Sequence, residues 1–175
     1  LEAEQLLFEL AQITPMEVVV IRPPLIYGPG VKANFASLIK IIKKGLPLPF
    51  GATANQRSLL AINNLVNFVM LCTAHPAAVN QVFLVADGKD ISTTTLLTKI
   101  AKAYNRPVRL IPVPVCLMIF IAKLTGKNNI SDRLFGNLQI DITKAQQLLG
   151  WKPVASMEQQ LNKMAELDRN STQNK

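Results

Sequence analysis

Four polar side chains in the sequence could hold a phosphate-bearing ligand: Arg22, Asn34, Arg57 and Arg133. The planar guanidinium of arginine donates two parallel hydrogen bonds to phosphate oxygens, so these residues favour a diphosphate as the ligand. Each also has a structural explanation. Arg22 could pair with a carboxylate at a strand end, Asn34 could cap a helix, and Arg57 could be solvated at the end of a sheet. Arg133 is not distinguished by chemistry from its charged neighbours.

The sequence offers no evident pair of residues for proton transfer. Nucleophile-elbow, phosphate-loop and zinc-helix motifs are absent, and the eight glycines never take the spacing of a dinucleotide-binding fingerprint. Two cysteines, Cys72 and Cys116, and the single His75 do not make a convincing zinc site. Because both cysteines have apolar neighbours, we expect them to be reduced core residues of a cytoplasmic protein.

The net charge of +8 raises the question of a polyanionic partner. The positive residues are spread along the chain, and no basic stripe interleaved with aromatic residues is present, so we do not expect nucleic acid binding. The most apolar segment, residues 110–124, is shorter than the roughly 20 residues that a membrane span needs. A buried helix is favoured there over a membrane-surface anchor, and membrane association is not expected.

The elements that would position the candidate side chains are organised around residues 18–30. The unbroken apolar run of residues 18–21 is typical of a strand that is covered on both faces in a parallel sheet. Pro23 and Pro24 end it, and Gly28-Pro29-Gly30 forms a loop beyond it. In open α/β sheets, ligands bind at the carboxyl ends of the strands.

Strand and helix patterns then recur along the chain, which is typical of an α/β protein. Caps are expected at Asn63 or Asn64, at Ser92 and at Thr143, and Gly45 is expected to end a helix. Further helices are predicted over residues 2–13, 35–44 and 157–167, further strands over 58–62, 81–86, 107–111 and 138–142, and a disordered tail over 168–175.

Four segments together resemble one family. Residues 22–30 (RPPLIYGPG), 55–65 (NQRSLLAINNL), 138–145 (LQIDITKA) and 149–153 (LGWKP) look like the carboxyl-terminal half of extended short-chain dehydrogenases. Within that group, the chain resembles the NAD-dependent nucleotide-sugar epimerases and dehydratases of the UDP-glucose/UDP-galactose 4-epimerase type.

The resemblance implies a fold class and a division into domains. The expected architecture is α/β, with the carboxyl-terminal part of a Rossmann-type parallel sheet and a small α/β substrate-binding lobe. Residues 1–30 would be the last helix and strand region of the Rossmann-type domain. Residues 31–167 would be mainly the substrate-binding lobe, with strands and helices that return to the sheet, and residues 168–175 the tail.

Family members bind NAD mainly through an amino-terminal domain and transfer protons with a Tyr-x-x-x-Lys pair. In this chain Tyr27 is followed four residues later by Val31, and Tyr104 by Val108. The resemblance therefore implies a fragment that begins just beyond the catalytic pair and is inactive alone, so no catalytic residue is assigned.

The resemblance carries several binding roles to this sequence. Pro23 and Pro24 match residues that touch the nicotinamide end of the cofactor, and Arg57 matches the arginine that grips the diphosphate. The other matches are Asn34 and Phe35 for the phosphates and backbone of the nucleotide, Phe50 for the uracil ring, and Arg133 for a second diphosphate contact.

Three positions depart from the family pattern. Leu25 stands where many epimerases have an asparagine, and Ser58 and Asn64 replace aspartates. The resemblance favours an NAD-dependent UDP-sugar 4-epimerase, for UDP-glucose/galactose or their N-acetyl forms, that could be a homodimer when full length. An NAD(P)H-dependent 4-keto sugar-nucleotide reductase of polysaccharide biosynthesis remains an alternative. So does a non-catalytic module that binds nucleotides or a membrane surface.

Overall fold

The computed structural model describes residues 2–31, 33–124 and 136–173. These residues form an α/β fold, as predicted. Its strands are β1 (Val19–Arg22), β2 (Leu25–Tyr27), β3 (Leu59–Ala61) and β4 (Gln81–Leu84). Its helices are α1 (Glu2–Ile13), α2 (Ala33–Lys43), α3 (Ile62–Ala74), α4 (Thr93–Ala103), α5 (Val115–Leu124), α6 (Thr143–Leu149) and α7 (Met157–Gln173), with a 3-10 turn at Pro76–Ala78.

The strands form two parallel pairs. Strand β1 pairs with β4 in the register Val19 to Gln81, and β2 pairs with β3 in the register Leu25 to Leu59. Parallel neighbours need a crossover, and helices lie in the chain between the members of both pairs. This arrangement confirms the parallel α/β prediction.

Strand β3 separates two hydrophobic cores, because its successive side chains point to opposite faces. Leu59 and Ala61 join the first, which we call the lobe core and which is built mainly from β2, α2, α4 and α7. Leu60 joins the second, the sheet core, which is built mainly from α3, β4, α6 and Trp151. All three side chains of β3 are buried, so the strand is covered on both faces.

The sequence prediction missed β2. Residues 25–27 lie between two prolines and a Gly-Pro-Gly segment, where no strand is predicted, yet they pair with β3 along their full length. Conversely, residues 138–142 were predicted to form a strand, and only Leu138 makes a bridge, to Arg57. In the segment 107–111, only Leu110 makes a bridge, to Leu48.

The predicted helix ends are partly correct. Gly45 follows α2 with φ +65°, and the Ser92 hydroxyl accepts a hydrogen bond from the Thr95 amide. The predicted caps at Asn63 and Asn64 are wrong, because Ala61 caps α3 and both asparagines lie in its first turn. Thr143 is likewise the first residue of α6 rather than its cap.

The predicted disordered tail is wrong for residues 168–173, which continue α7. Asp168 explains part of the difference. Its Oδ2 accepts hydrogen bonds from Lys43 Nζ at 2.7 Å and from the Tyr104 hydroxyl at 3.0 Å, which ties this turn to α2 and α4.

The helix expected within residues 110–124 forms over Val115–Leu124, but its predicted burial is only partly correct. Ile111 is 49% exposed and Leu117 is 48% exposed, whereas Met118 is buried. Cys116 is exposed, contrary to the prediction of two core cysteines, and only Cys72 is buried. Across the described ranges, none of the helices combines the length and the apolar character that crossing a bilayer requires.

Candidate ligand site at the amino ends of β2 and β3

The parallel register of β2 and β3 brings together two of the predicted binding segments. Leu25 lies opposite Leu59, so the residues that immediately precede both strands lie at the same edge. Pro23 and Pro24 come just before β2, and Arg57 and Ser58 come just before β3. The proline pair and the arginine are therefore neighbours, although 33 positions separate Pro24 from Arg57 in the sequence.

Arg57 is held by both its backbone and its side chain. Its N–H donates to the Ile91 carbonyl at 3.0 Å, and its own carbonyl accepts from the Ile91 N–H at 3.1 Å. Its Nη1 donates to the Gly136 carbonyl at 3.1 Å. Partial burial lowers the pKa of Arg57 from its ordinary value, yet an arginine stays protonated at neutral pH. The result is a fixed positive charge at the edge of the strand pair.

A carboxylate lies beside this charge. The Ser58 hydroxyl donates to Asp90 Oδ1 at 2.5 Å, and Gln139 Nε2 donates to Asp90 Oδ2 at 2.8 Å. The same hydroxyl accepts from the Ile140 N–H at 2.9 Å. Ser58 thus joins β3 to the segment that follows β4 and to the segment that precedes α6.

A second carboxylate, Asp87, organises the opposite end of the strand pair. Its Oδ2 accepts from the Tyr27 hydroxyl at 2.7 Å, and its Oδ1 accepts from the Ala61 N–H at 2.9 Å and from Asn64 Nδ2 at 2.7 Å. Asn64 Oδ1 accepts from the backbone N–H groups of Val154 and Ala155. Burial and the neighbouring Asp87 together raise the pKa of Tyr27 strongly. The network joins the end of β2 and the loop after β4 to the start of α3.

Ser58 and Asn64 share one feature. Each donates a hydrogen bond to a carboxylate from the loop after β4, Ser58 to Asp90 and Asn64 to Asp87. Sequence reasoning did not single out Asp87 and Asp90, whose hydrogen bonds hold both ends of the strand pair. The available signal was their position directly after a predicted strand, at the end of a sheet where polar side chains converge.

Phe50 and Arg57 lie at the two ends of one loop, which is hydrogen-bonded to the first turn of α4. The Thr94 hydroxyl donates to the Phe50 carbonyl at 2.5 Å, and Asn55 Oδ1 accepts from the Thr93 N–H at 2.9 Å. The Phe50 ring is half-buried and packs against the lobe core.

The structure separates the other predicted residues from this edge. Phe35 is 1% exposed, and its ring stacks on Tyr27 with a centroid distance of 5.5 Å, so only its backbone could reach a ligand. Asn34 lies in the first turn of α2, beyond the carboxyl end of β2. The Asn34 side chain and Arg133 lie outside the described residues. Arg22 pairs with Glu4, with Nε 3.1 Å from Oε1, which matches the carboxylate explanation.

Comparison with known proteins gives relatives in sequence and in structure. No protein-family model matches the chain. UDP-glucose 4-epimerase from Vibrio cholerae is 49% identical over 166 residues, which cover 94% of this chain and 51% of that protein. N-acetyl-alpha-D-glucosaminyl-diphospho-ditrans,octacis-undecaprenol 4-epimerase from Escherichia coli O157:H7 is 27% identical over 135 residues, which cover 72% of this chain and 41% of that protein.

A solved structure shows the same fold. The enzyme WbmF from Bordetella bronchiseptica, in complex with NAD+ and UDP, superposes with a TM-score of 0.73 at 21% identity, over 98% of this chain and 51% of WbmF. The chain spans about half the length of the proteins that it matches. The 49% identity to the Vibrio enzyme, together with this fold, identifies the chain as the carboxyl-terminal half of an extended short-chain dehydrogenase of the nucleotide-sugar epimerase/dehydratase family.

Proposed function

We propose that the complete protein is an NAD-dependent UDP-sugar 4-epimerase and that this chain binds the nucleotide diphosphate of its substrate. The observation that carries the proposal is the Arg57 side chain, which is held by the Gly136 carbonyl at the strand edge that Pro23 and Pro24 share. The identity to the Vibrio enzyme supports the same reaction. We also propose that the complete protein is cytoplasmic and that it forms a homodimer.

The chemistry of Arg57 suits a diphosphate. The substrates named for the Vibrio and Escherichia relatives both carry a sugar on a diphosphate, although one is a nucleotide and the other a lipid. A charge that is already immobilised loses little entropy when it binds phosphate oxygens. Contacts of this kind are remote from the reacting carbon and position it for the reaction.

Other residues of the chain would complete the ligand site. Phe50 lies on the same loop as Arg57, and we propose it as the contact to the uracil. We keep Asn34, the Phe35 backbone and Arg133 as proposed contacts to the nucleotide. Leu25, which is 42% exposed, places an apolar surface where many family members have an amide.

Pro23 and Pro24 suit one wall of a nicotinamide site. They follow the carboxyl end of β1, Pro23 is exposed, and neither side chain carries a charge that a flat ring would have to desolvate. NAD supplies a hydride acceptor and donor when it is bound. The chain contains no Tyr-x-x-x-Lys pair, so we propose that proton transfer and most of the cofactor site belong to another part of the complete protein.

The first prediction is that Arg57→Ala in the complete protein weakens UDP binding. A hydrogen bond to a charged group contributes about 1.5–3 kcal/mol, which corresponds to a rise in Kd of roughly 10- to 150-fold. Isothermal titration calorimetry with UDP measures the change. Arg106→Ala is the matched control, because Arg106 is exposed outside this edge and its loss should leave the Kd unchanged.

Circular dichroism of Arg57→Ala must show an intact fold, because the variant also loses the bond to Gly136. Unchanged UDP affinity in a folded Arg57→Ala protein would remove Arg57 from the site. The reaction is tested separately with UDP-glucose. If the complete protein reduces a 4-keto sugar nucleotide with NAD(P)H and interconverts no UDP-hexoses, it is a reductase and the epimerase proposal is wrong.

A further inference from the structure

Two extended segments lie side by side on the surface of the lobe. The Leu48 N–H donates to the Arg109 carbonyl at 2.8 Å, and the Ile111 N–H donates to the Leu48 carbonyl at 2.8 Å. Gly51 continues the contact, with its N–H 3.0 Å from the Ile111 carbonyl. A Cβ at Gly51 would come within 2.9 Å of the Ile111 backbone, so this close approach depends on glycine.

The side chains of these segments alternate between the core and the solvent. Leu48 is buried, and Val108 and Leu110 pack against the lobe core. Arg109 and Ile111 alternate with those inward residues and are exposed. The outer surface, here called the basic–apolar patch, consists of Leu46, Pro47, Pro49, Arg109 and Ile111, together with Leu117, which follows these segments in the chain at the start of α5.

The patch exposes large aliphatic side chains. Leu46 is 51% exposed, Ile111 is 49% exposed and Leu117, in the first turn of α5, is 48% exposed. Three prolines, at 47, 49 and 112, are exposed among them. The aliphatic groups are thus held on rigid, hydrogen-bonded backbone that needs no further ordering to present them.

The charge around the patch is positive. Lys44 and Arg106 are exposed and flank it in sequence, and Arg109 lies within it. Residues 18–86 and 91–131 contain no aspartate or glutamate. The acidic Asp168, which α7 brings near α2, is bound by Lys43 and Tyr104. A partner that covers this patch therefore needs an apolar interior and a negative surface.

We propose that the basic–apolar patch docks on the surface of an anionic phospholipid bilayer. Leu46, Ile111 and Leu117 would enter the boundary between headgroups and acyl chains. Lys44, Arg106 and Arg109 would contact lipid phosphates at the depth that cationic side chains prefer. This inference goes beyond the proposed function and does not rest on it.

The test is co-sedimentation of the purified complete protein with vesicles, because α1 of this chain alone exposes Leu6, Leu10 and Ile13 as a second apolar surface. We expect binding to phosphatidylglycerol/phosphatidylcholine vesicles at low salt and much weaker binding to pure phosphatidylcholine or at high salt, because surface electrostatics are screened. The double variant Ile111→Asp/Leu117→Asp should lower the partition coefficient by at least about tenfold. Arg109→Gln should lower it by about fivefold.

Matched controls carry the same chemical changes elsewhere. Met70→Asp introduces a charge at a side chain that is 67% exposed on α3, and Lys152→Gln removes an exposed charge. Both should bind vesicles like the unchanged protein, and circular dichroism should show that all variants are folded. The affinity of the same variants for UDP is measured by calorimetry. A variant that loses vesicle binding but keeps its UDP affinity has lost the patch and not the ligand site.

Two results would overturn the proposal. One is a lack of binding to anionic vesicles at low salt, and the other is binding that survives the Ile111→Asp/Leu117→Asp change. If the unchanged protein ignores vesicles but self-associates, and the double variant is monomeric, the patch is a contact between copies instead.

Discussion

At the residue scale, Asp87 shows how one buried carboxylate connects several elements. It accepts hydrogen bonds from Tyr27 on β2, from Ala61 at the end of β3 and from Asn64 on α3. Asn64 extends the connection to residues 154 and 155 before α7. Each polar atom of the Asn64 side chain is paired, as a side chain with no exposed surface requires.

The pKa of Tyr27 gives the second prediction. Its folded-state pKa is raised well above the ordinary value of 10.0. The folded protein therefore holds this proton more tightly than the unfolded chain. The stabilisation is fully present below pH 10 and is lost progressively as the pH rises above it. We expect the free energy of unfolding to fall in alkaline solution.

The measurement uses Tyr104→Phe, which leaves Tyr27 as the only tyrosine. In that variant, tyrosinate absorbance should appear only together with the loss of the circular dichroism signal. A free tyrosine peptide titrated in parallel gives the reference curve. Titration of Tyr27 near its ordinary pKa in a protein that is still folded would refute the buried hydrogen bond to Asp87.

At the element scale, helix α7 begins with a reciprocal cap. The Ser156 N–H donates to Gln159 Oε1 at 2.8 Å, and the Gln159 N–H donates to the Ser156 hydroxyl at 3.3 Å. Such a capping box satisfies amide groups that the first turn leaves unpaired. Because α7 supplies Met157, Leu161 and Met164 to the lobe core, its first turn is well placed to affect global stability.

The third prediction is that Ser156→Ala lowers the free energy of unfolding by about 1 kcal/mol, the usual cost of losing a serine cap. Urea denaturation measures it. Ser171→Ala is the control on the same helix, because the Ser171 hydroxyl donates to the Leu167 carbonyl in the exposed last turn and caps no amide. Equal losses in both variants would mean that Ser156 does not act as a cap.

The helices show where local sequence patterns suffice and where they fail. Periodicity predicted α1, α2 and α4 because their apolar faces are local features. The start of α3 was mispredicted because the Asn64 amide bonds Asp87 and residues 154 and 155, which are distant in sequence. The last turn of α7 was missed for the same reason, since Asp168 bonds Lys43 and Tyr104.

The proposed ligand site follows the same division. The sequence predicts Arg57 as a binding residue through its position before a strand and its resemblance to a family motif. Its placement beside Pro23 and Pro24 depends on the register of β2 with β3, and β2 itself was too short to recognise. The roles of Asp87 and Asp90 depend on how β4 and its loop return to β3, which local patterns do not encode.

At the scale of the whole molecule, β3 makes the two hydrophobic cores interdependent. Leu59 and Ala61 lie in the lobe core, and Leu60 lies in the sheet core between them. Neither core can lose its strand without exposing a buried face of the other. We therefore expect both to unfold in one cooperative transition, as small domains usually do.

The single tryptophan makes this cooperativity measurable. Trp151 is 3% exposed in the sheet core, its ring centroid lies 5.0 Å from that of Phe68, and its Nε1 donates to Asn67 Oδ1 at 3.0 Å. Its fluorescence therefore reports on the sheet core alone. Far-UV circular dichroism reports on the helices of both cores.

The fourth prediction is that Leu97→Ala, a change in the lobe core, also shifts the Trp151 fluorescence transition. Leu97 has no exposed surface, so truncation leaves a cavity and should cost about 2–5 kcal/mol. In urea, fluorescence and circular dichroism should move together by the same free energy. The control Leu84→Ala, at a side chain that is 41% exposed, should shift both curves far less. A circular dichroism transition that moves while the Trp151 transition stays in place would show that the two cores unfold separately and that β3 does not couple them.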